Sequence, residues 1–439
     1  MDGTKLNILV VTNLFEPDRG GGASVFTDLC VGLVERGHRV TAYTTYPYYP
    51  EWINKSKARL TRVSQDDHHG VSVLRYGMYI PRDPTRPVER LLYELSFFFS
   101  LSRSLFRRSR YDLVMVYCPL FGAVLYGALR RGLTRETMWL NVQDVPADAA
   151  VTTGLFRGRS LGNAATWAQG WAFNRYDAWS TIAPEMVGRL EAIRRRAQPI
   201  VYLPNFLNRS MASLTDAARR RRPPPRARTR LLYAGNVGGK QDLLRFCQAL
   251  HATSLDIELV IHGDGSEAGR VQEWVRATRD PRISYGPFLD EPAFVEALSA
   301  ADIFVITEAS GIGASFIPSK LIPCLAVGTP VLAVTDRSSP LGAEIERSAV
   351  GTVLEWPELD AGLDQAVIHL TDPVIVDRLR RNTAVRAQDF TRDRVLDRLE
   401  KALSEPSMGS RSRGRTPGSS VRVWERSAST ESSGAGRLR

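Results

Sequence analysis

The chain alternates short, continuous apolar runs with longer stretches of helical period. Asn7-Ile-Leu-Val-Val-Thr-Asn13 is an apolar run of strand length, and it ends in Glu16-Pro-Asp-Arg-Gly-Gly-Gly22, a turn-rich loop. Ala23 to Arg36 then repeats apolar residues at helical spacing (Val25, Leu29, Leu33, Val34). Gly37 is a helix stop, and Val40-Thr-Ala-Tyr-Thr44 is the next strand. Strand, helix and strand at this spacing form a βαβ unit and predict a parallel sheet. Further strands are expected at Val71–Tyr76, Asp112–Tyr117, Met138–Val142, Ala178–Ile182 and Ile200–Leu203. Helices are expected around Phe121–Arg131, Ala165–Arg175 and Glu185–Arg196. Residues 209–229 break the pattern: Arg219–Arg222 and Pro223–Pro225 read as a charged, proline-rich linker that does not pack. A second series of strands follows at Leu231–Ala234, Glu258–His262, Ile283–Tyr285, Ile303–Thr307, Pro330–Val334 and Gly351–Leu354. The expected architecture is α/β: two Rossmann-like, doubly wound domains, 1–208 and 230–385, facing a cleft. A helix over 386–404, placed to cross back to the first domain, and a disordered tail over 405–439 complete the chain.

One stretch concentrates chemistry. Leu231-Leu-Tyr-Ala234 reads as a buried strand, Gly235, Gly238 and Gly239 open the following loop, and Lys240 stands where a helix is expected to begin. Free amides, a helix N-terminus and a lysine together make an anion site. The spacing is neither G-x-G-x-x-G nor G-x-x-x-x-G-K-[ST], so the dinucleotide and P-loop fingerprints do not apply, and a plain strand–turn–helix connection competes with the phosphate reading.

Composition narrows the class. At 439 residues the chain exceeds one ordinary core, and 43% hydrophobic with 24% charged residues are globular values. The net charge of +11 offers a basic surface to phosphates, anionic lipid or nucleic acid. Cys30, Cys118, Cys247 and Cys324 show no metal spacing and read as buried free thiols of a reducing compartment. Leu6–Val11 is too short for a signal peptide, and no apolar run is long enough to span a membrane.

Taken in order, several segments resemble the retaining GT-B glycosyltransferases of family 4, in particular the branch that builds colanic acid, O-antigen and capsular polysaccharides. In the first half these are Asn13-Leu-Phe-Glu-Pro with Gly20-Gly-Gly22, Glu35-Arg-Gly-His-Arg-Val40, Pro47-Tyr-Tyr-Pro-Glu-Trp52, Val142-Gln-Asp-Val-Pro-Ala-Asp148, Ser180-Thr-Ile182 and Leu203-Pro-Asn205. In the second half they are Tyr233–Lys240, Ile261-His-Gly-Asp-Gly265, Ile317-Pro-Ser-Lys-Leu321 and Val327-Gly-Thr-Pro-Val331. The resemblance implies transfer of a sugar from a nucleotide-diphosphate donor to a glycan or lipid-linked acceptor, with anomeric configuration kept. It implies donor contacts at Gly21, Gly22, Gly235, Asn236, Lys240, Ser319 and Lys320, and base placement by Gly263, Asp264 and Gly265. A tight turn is the competing reading for Asp264. No Asp-x-Asp triplet occurs, which agrees with protein cations in place of a metal, so no cofactor is expected.

The sequence also departs from that family. The two glutamates of its last loop fall on Ser315 and Pro323, and neither replaces a carboxylate; Glu308, upstream, is a candidate sugar contact. The family's first-domain histidine falls on Gln143. Asp144 follows it as a candidate for orienting the acceptor hydroxyl, with a structural turn as the alternative. Residues 91–110 combine Phe97-Phe-Phe99 with flanking arginines, a pattern for a helix lying in a lipid interface or, equally, for a core helix. The expected location is cytoplasmic, peripheral on the inner face of the membrane. Three other readings stay open. A nucleotide-sugar 2-epimerase would need cleft histidines, yet His68 and His69 fall in an apparent surface turn. A non-catalytic nucleic-acid-binding protein would need a readout motif beside its arginines, and nucleic acid is not expected as a partner. A sugar-binding remnant without catalysis would account for the missing glutamates.

Overall fold

The computed structural model describes residues 5–20, 22–84, 86–107, 109–145, 159–221, 228–311 and 317–405, the side chains of 159–162 excepted. Its first sheet holds β1 (Asn7–Val11), β2 (Arg39–Thr45), β3 (Val63–His68), β4 (Val71–Tyr76), β5 (Leu113–Cys118), β6 (Thr137–Val142), β7 (Ala178–Thr181) and β8 (Ile200–Tyr202). They lie in the order β3-β4-β2-β1-β5-β6-β7-β8, and only β3 runs antiparallel to its neighbour. The second sheet holds β9 (Thr229–Asn236), β10 (Ile257–Asp264), β11 (Ile283–Gly286), β12 (Ile303–Thr307), β13 (Val331–Val334) and β14 (Gly351–Leu354). Its order, β11-β10-β9-β12-β13-β14, is fully parallel. In each sheet the strand order reverses beside the first strand, between β1 and β5 and between β9 and β12. Such switch points open crevices at the carboxyl ends of strands.

The apolar runs become strands because helices cover both faces of each sheet, so every side chain of β1 after Asn7 is buried, as is every side chain of β5 and of β12. Two core clusters line the two faces of the first sheet and two line those of the second. All four cysteines are buried and free.

Three local expectations change. His68 ends β3 rather than lying in a turn; β3 (VSQDDH) is a polar edge strand with no apolar signal to read. Residues 209–219 are not linker but helix, Arg209–Arg219. Asn208 caps it by accepting from Met211 N at 2.7 Å, and Thr215 is buried. Arg219 Nη1 donates to the carbonyls of Leu325 and Ala326, and its Nη2 to that of Arg380. The arginines that look like solvated linker therefore tie the helix to the second domain. Residues 222–227, with the three prolines, lie outside the described residues, as do 406–439 of the expected tail. The helix following Lys240 begins only at Leu243: Gly238–Gln241 closes a turn, and Asp242 is left-handed (φ 47°).

The C-terminal helix, Arg392–Ser404, lies against helix Ala23–Glu35 of the first domain. Val395, Leu396 and Leu399 enter the same cluster as Phe26, Leu29 and Leu33. Arg36 Nη1 donates to Asp397 and Glu400, both at 2.7 Å, and Arg392 bonds Asp28 at 2.9 Å and Glu35 at 2.6 Å. The expected interfacial segment is helix Pro87–Ser102 followed by a 3-10 turn, Arg103–Phe106. Tyr93, Phe97 and Leu101 face the core, while Leu91, Leu92, Leu95 and Phe99 face outward, Phe99 at 64% exposure. The Phe97–Phe99 run is thus divided between core and surface. Among the described residues no helix is long and apolar enough to cross a membrane.

Candidate functional site

The second domain builds most of the site at the ends of β9, β10 and β12. Gly235 leaves β9 with φ 124°. The Asn236 side chain donates to Gln241 Oε1 at 3.0 Å, and the same oxygen accepts from Gly238 N at 3.0 Å. Val237 N donates to Asp264 O, and Glu267 N donates back to Val237 O. The Gly263–Gly265 turn is therefore stacked on the Gly235–Lys240 loop. A Cβ on Gly263 would stand 2.2 Å from Gly235 O, and one on Gly265 (φ 150°) 2.5 Å from Val237 O. Only glycine lets two strand-end loops approach this closely. Asp264 Oδ1 accepts from Gly265 N at 2.8 Å, the self-bonded turn that competed with a ligand role. Gln241, which clamps the loop, was not singled out from sequence; an amide directly after a glycine-lysine pair was the available signal.

Lys320 reaches this loop from the Ile317–Leu321 segment. Its Nζ lies 4.2 Å from the Tyr233 ring centroid and would lie 3.8 Å from a Cβ on Gly235. Among the described residues this buried Nζ has no hydrogen-bond partner. Burial pulls its pKa down to about 8, against the opposing pull of Cys324 and Glu308. Ser319 beside it is exposed. Glu308, expected at the sugar, is instead 1% exposed at the end of β12. Its Oε2 accepts from Thr335 Oγ1 at 2.8 Å, and its Oε1 has no partner among the described residues. Burial raises it to about 7, with Thr335 and then Lys320 lowering it. Its carboxyl is therefore within electrostatic reach of Lys320 and shielded from solvent. The polar end of an apolar strand hid this from sequence reading. Pro323 is buried inside helix Leu321–Val327, while Ser315 lies outside the described residues.

The first domain faces these groups with Gln143 and Asp144, directly after β6. Gln143 Nε2 donates to Asn141 Oδ1 at 2.6 Å, and its Oε1 accepts from Asn205 Nδ2 at 2.7 Å. Asn141 in turn bonds Ser180 at 3.0 Å. A chain of amides thus fixes Gln143, and Asn205 within Leu203-Pro-Asn205 is the partner that orients it. Asp144 Oδ2 stands 3.9 Å from Lys240 Nζ, a link from the first domain to the second. Gly20 and Gly22 both have positive φ, and Gly22 precedes helix Ala23–Glu35; Gly21 lies outside the described residues. Glu94, not singled out from sequence, accepts from Gly122 N at 2.9 Å, and burial raises its carboxyl to about 7. Among the described residues no group of three or more His, Cys, Asp or Glu side chains is placed to hold a metal.

With that geometry in place, comparison with known proteins is specific. Residues 20–205 match the model of the glycosyl transferase 4-like domain. The chain is 25% identical over 380 residues, 83% of its length and 92% of the relative's, to the putative colanic acid biosynthesis glycosyl transferase WcaI of Escherichia coli K12. Among solved structures it resembles sucrose-phosphate synthase of Thermosynechococcus elongatus, with TM-score 0.68 and 16% identity, covering 91% of this chain and 99% of that one. It also resembles Anabaena HepE in complex with UDP and glucose, with TM-score 0.61 and 13% identity, covering 91% and 99%.

Proposed function

We propose, from the premise that this chain is a glycosyltransferase of the two-domain GT-B fold, that it transfers a sugar from a nucleotide diphosphate to a lipid-linked glycan in cell-surface polysaccharide assembly, with retention. The observation that carries the donor assignment is Lys320: a buried ammonium, without a hydrogen-bond partner among the described residues, held against the Gly235 loop on the Tyr233 ring. A buried ammonium without a hydrogen-bond acceptor is costly, and a diphosphate in the loop would supply one. Lys240 adds a second cation at the same loop. As the bond from the anomeric carbon to the diphosphate oxygen breaks, its electron pair stays on that oxygen, where these cations stabilise it. The acceptor oxygen enters on the face that the diphosphate leaves, and its proton passes to the departing phosphate oxygen. Asp144, close to Lys240 across the cleft, orients that hydroxyl, while the amide-locked Gln143 positions the sugar. HepE, of the same fold, was solved with UDP and glucose, which supports a nucleotide-sugar donor; WcaI, by its name a colanic acid enzyme, supports a polysaccharide product. The outward apolar side chains of helix Pro87–Ser102 and its neighbouring arginines support contact with an anionic membrane surface.

A thermal-shift panel of UDP, GDP, ADP, CMP and dTDP, with and without magnesium, tests the donor site. One nucleoside diphosphate is expected to raise the melting temperature of the wild type without metal, and to raise that of Lys240→Ala much less. No response to any nucleotide, or an equal response in a folded Lys240→Ala, overturns the assignment.

A further inference from the structure

Charge pairs of two kinds join the domains, and they differ in how firmly they hold. Arg347, in helix Pro340–Ser348 of the second domain, donates at 2.6 Å to Glu185, which opens helix Glu185–Ile193 of the first. The other end of the Arg347 guanidinium rests on Glu344. Glu344 is 1% exposed and is clamped again by Arg386, at 2.5 and 2.9 Å. Arg386 reaches on to the Tyr202 hydroxyl at the end of β8. One buried carboxylate thus holds two guanidiniums, and each extends to the first domain. Charge-assisted, multiply bonded contacts of this kind are strong.

The contact at the cleft is of the other kind. Lys240 Nζ and Asp144 Oδ2 stand 3.9 Å apart, beyond hydrogen-bond distance, with side chains 30% and 22% exposed. Such a partly hydrated, long pair is weak and easily exchanged. The backbones on both sides are pinned. The Lys240 carbonyl accepts from Ala309 N at 2.8 Å, and Gln241 N closes the turn on Gly238 O at 3.0 Å. The Asp144 carbonyl accepts from Cys118 Sγ at 3.5 Å. The adjustable part is the lysine's flexible four-carbon stem with its point charge. A change of partner by Lys240 therefore needs side-chain rotation and no movement of either domain.

We infer that Asp144 is an intramolecular competitor for the donor diphosphate: in the empty protein its carboxylate holds the Lys240 ammonium toward the first domain, and an arriving diphosphate takes that ammonium over. The inference rests on the reading of the Gly235–Lys240 loop as the donor site.

Charge decides the exchange. A diphosphate brings more negative charge to the loop than the single carboxylate of Asp144, so the ammonium goes to the ligand. The Glu185–Arg347 junction keeps the domains joined while it does so. Once Lys240 has turned to the diphosphate, the Asp144 carboxylate is left with more negative charge to satisfy, which suits it to accept from a hydroxyl. Occupation of the donor loop and readiness of Asp144 are thereby coupled through one lysine. The same contact weakens donor binding, because part of the attraction of Lys240 is spent on Asp144 until the ligand arrives.

The test is calorimetric titration of the full chain with UDP, GDP, ADP and dTDP at low salt, for the wild type, Asp144→Asn, Lys240→Ala, the double variant and Glu185→Gln. Asparagine keeps the size of Asp144 and removes its charge. The nucleotide that binds the wild type is expected to bind Asp144→Asn about threefold more tightly. A side chain with a structural role alone gives no such gain. In the Lys240→Ala background the same substitution is expected to gain less than about 1.5-fold, because the ammonium in dispute is gone. Glu185→Gln weakens the other junction and is expected to bind as the wild type does. Unchanged or weaker binding by Asp144→Asn overturns the inference. A gain of equal size in the Lys240→Ala background also overturns it, as simple repulsion between Asp144 and the nucleotide. An equal gain in Glu185→Gln does the same, as general loosening between the domains. No binding of any nucleotide by the wild type or any variant would overturn the donor reading itself, an outcome distinct from the other three.

Discussion

Lys320 shows how much of the site's behaviour rests on single side chains. Its depressed pKa belongs to the unliganded protein, where burial disfavours the charged form. A diphosphate needs that charge, so above pH of about 8 the free protein must take up a proton to bind. Donor affinity is expected to be flat below that value and to fall above it, toward about one decade per pH unit. The fall ends as pH approaches the higher pKa of the bound form. Titration of the nucleoside diphosphate by calorimetry in buffers of different ionisation enthalpy would show the proton uptake. Affinity flat to pH 9.5 would mean that Lys320 does not meet the phosphates. At this scale the sequence was partly legible. Lys240, Lys320 and the glycines announce themselves as cations and hinges in strand-end loops. The burial of Glu308 behind Thr335 and the Asn205–Gln143–Asn141 chain did not, because each depends on residues far apart in the chain meeting at a strand end.

At the scale of elements, apolar runs translated directly into strands, and the misreadings share one cause. Helix Arg209–Arg219 and edge strand β3 are polar, and each is held by partners distant in sequence. Polar sequence reads as solvent-facing unless the carbonyls that will satisfy it are known. The C-terminal helix Arg392–Ser404 makes the point from its apolar side. Leu396, 1% exposed, sits against Gly32 and completes a core whose other members come from the first domain. Leu396→Ala is expected to cost about 2–5 kcal/mol through lost burial and a cavity. Denaturant unfolding followed by the fluorescence of Trp139 and Trp179, both in the first domain, should register the loss. An effect below about 0.5 kcal/mol would mean that the helix only decorates the surface.

For the molecule as a whole, the net charge of +11 is not a property of the proposed donor site alone. Arg103, Arg107 and Arg110 follow in the chain the helix that turns Leu91, Leu92, Leu95 and Phe99 outward, so cationic and exposed apolar residues are concentrated in this stretch of the first domain. The protein is expected to co-sediment with vesicles containing anionic lipid and to release as salt screens the arginines. Leu91→Glu/Phe99→Glu should weaken that binding while leaving the nucleoside-diphosphate melting shift unchanged. Equal sedimentation of wild type and variant would remove this face from the membrane contact.

The sequence by itself determined the fold class, the alternation of strands and helices, and the loops that carry chemistry. These follow from local periodicity and from glycine and lysine placed after strands. Only the tertiary structure decided which of those residues meet. Lys320 comes to rest on Tyr233 and Asp144 stands opposite Lys240, whereas Glu308 turns inward. It also made a helix of the apparent linker and split Phe97–Phe99 between core and surface. The physical reason is that burial and charge pairing are set by packing between elements, and their partners lie tens to hundreds of residues apart.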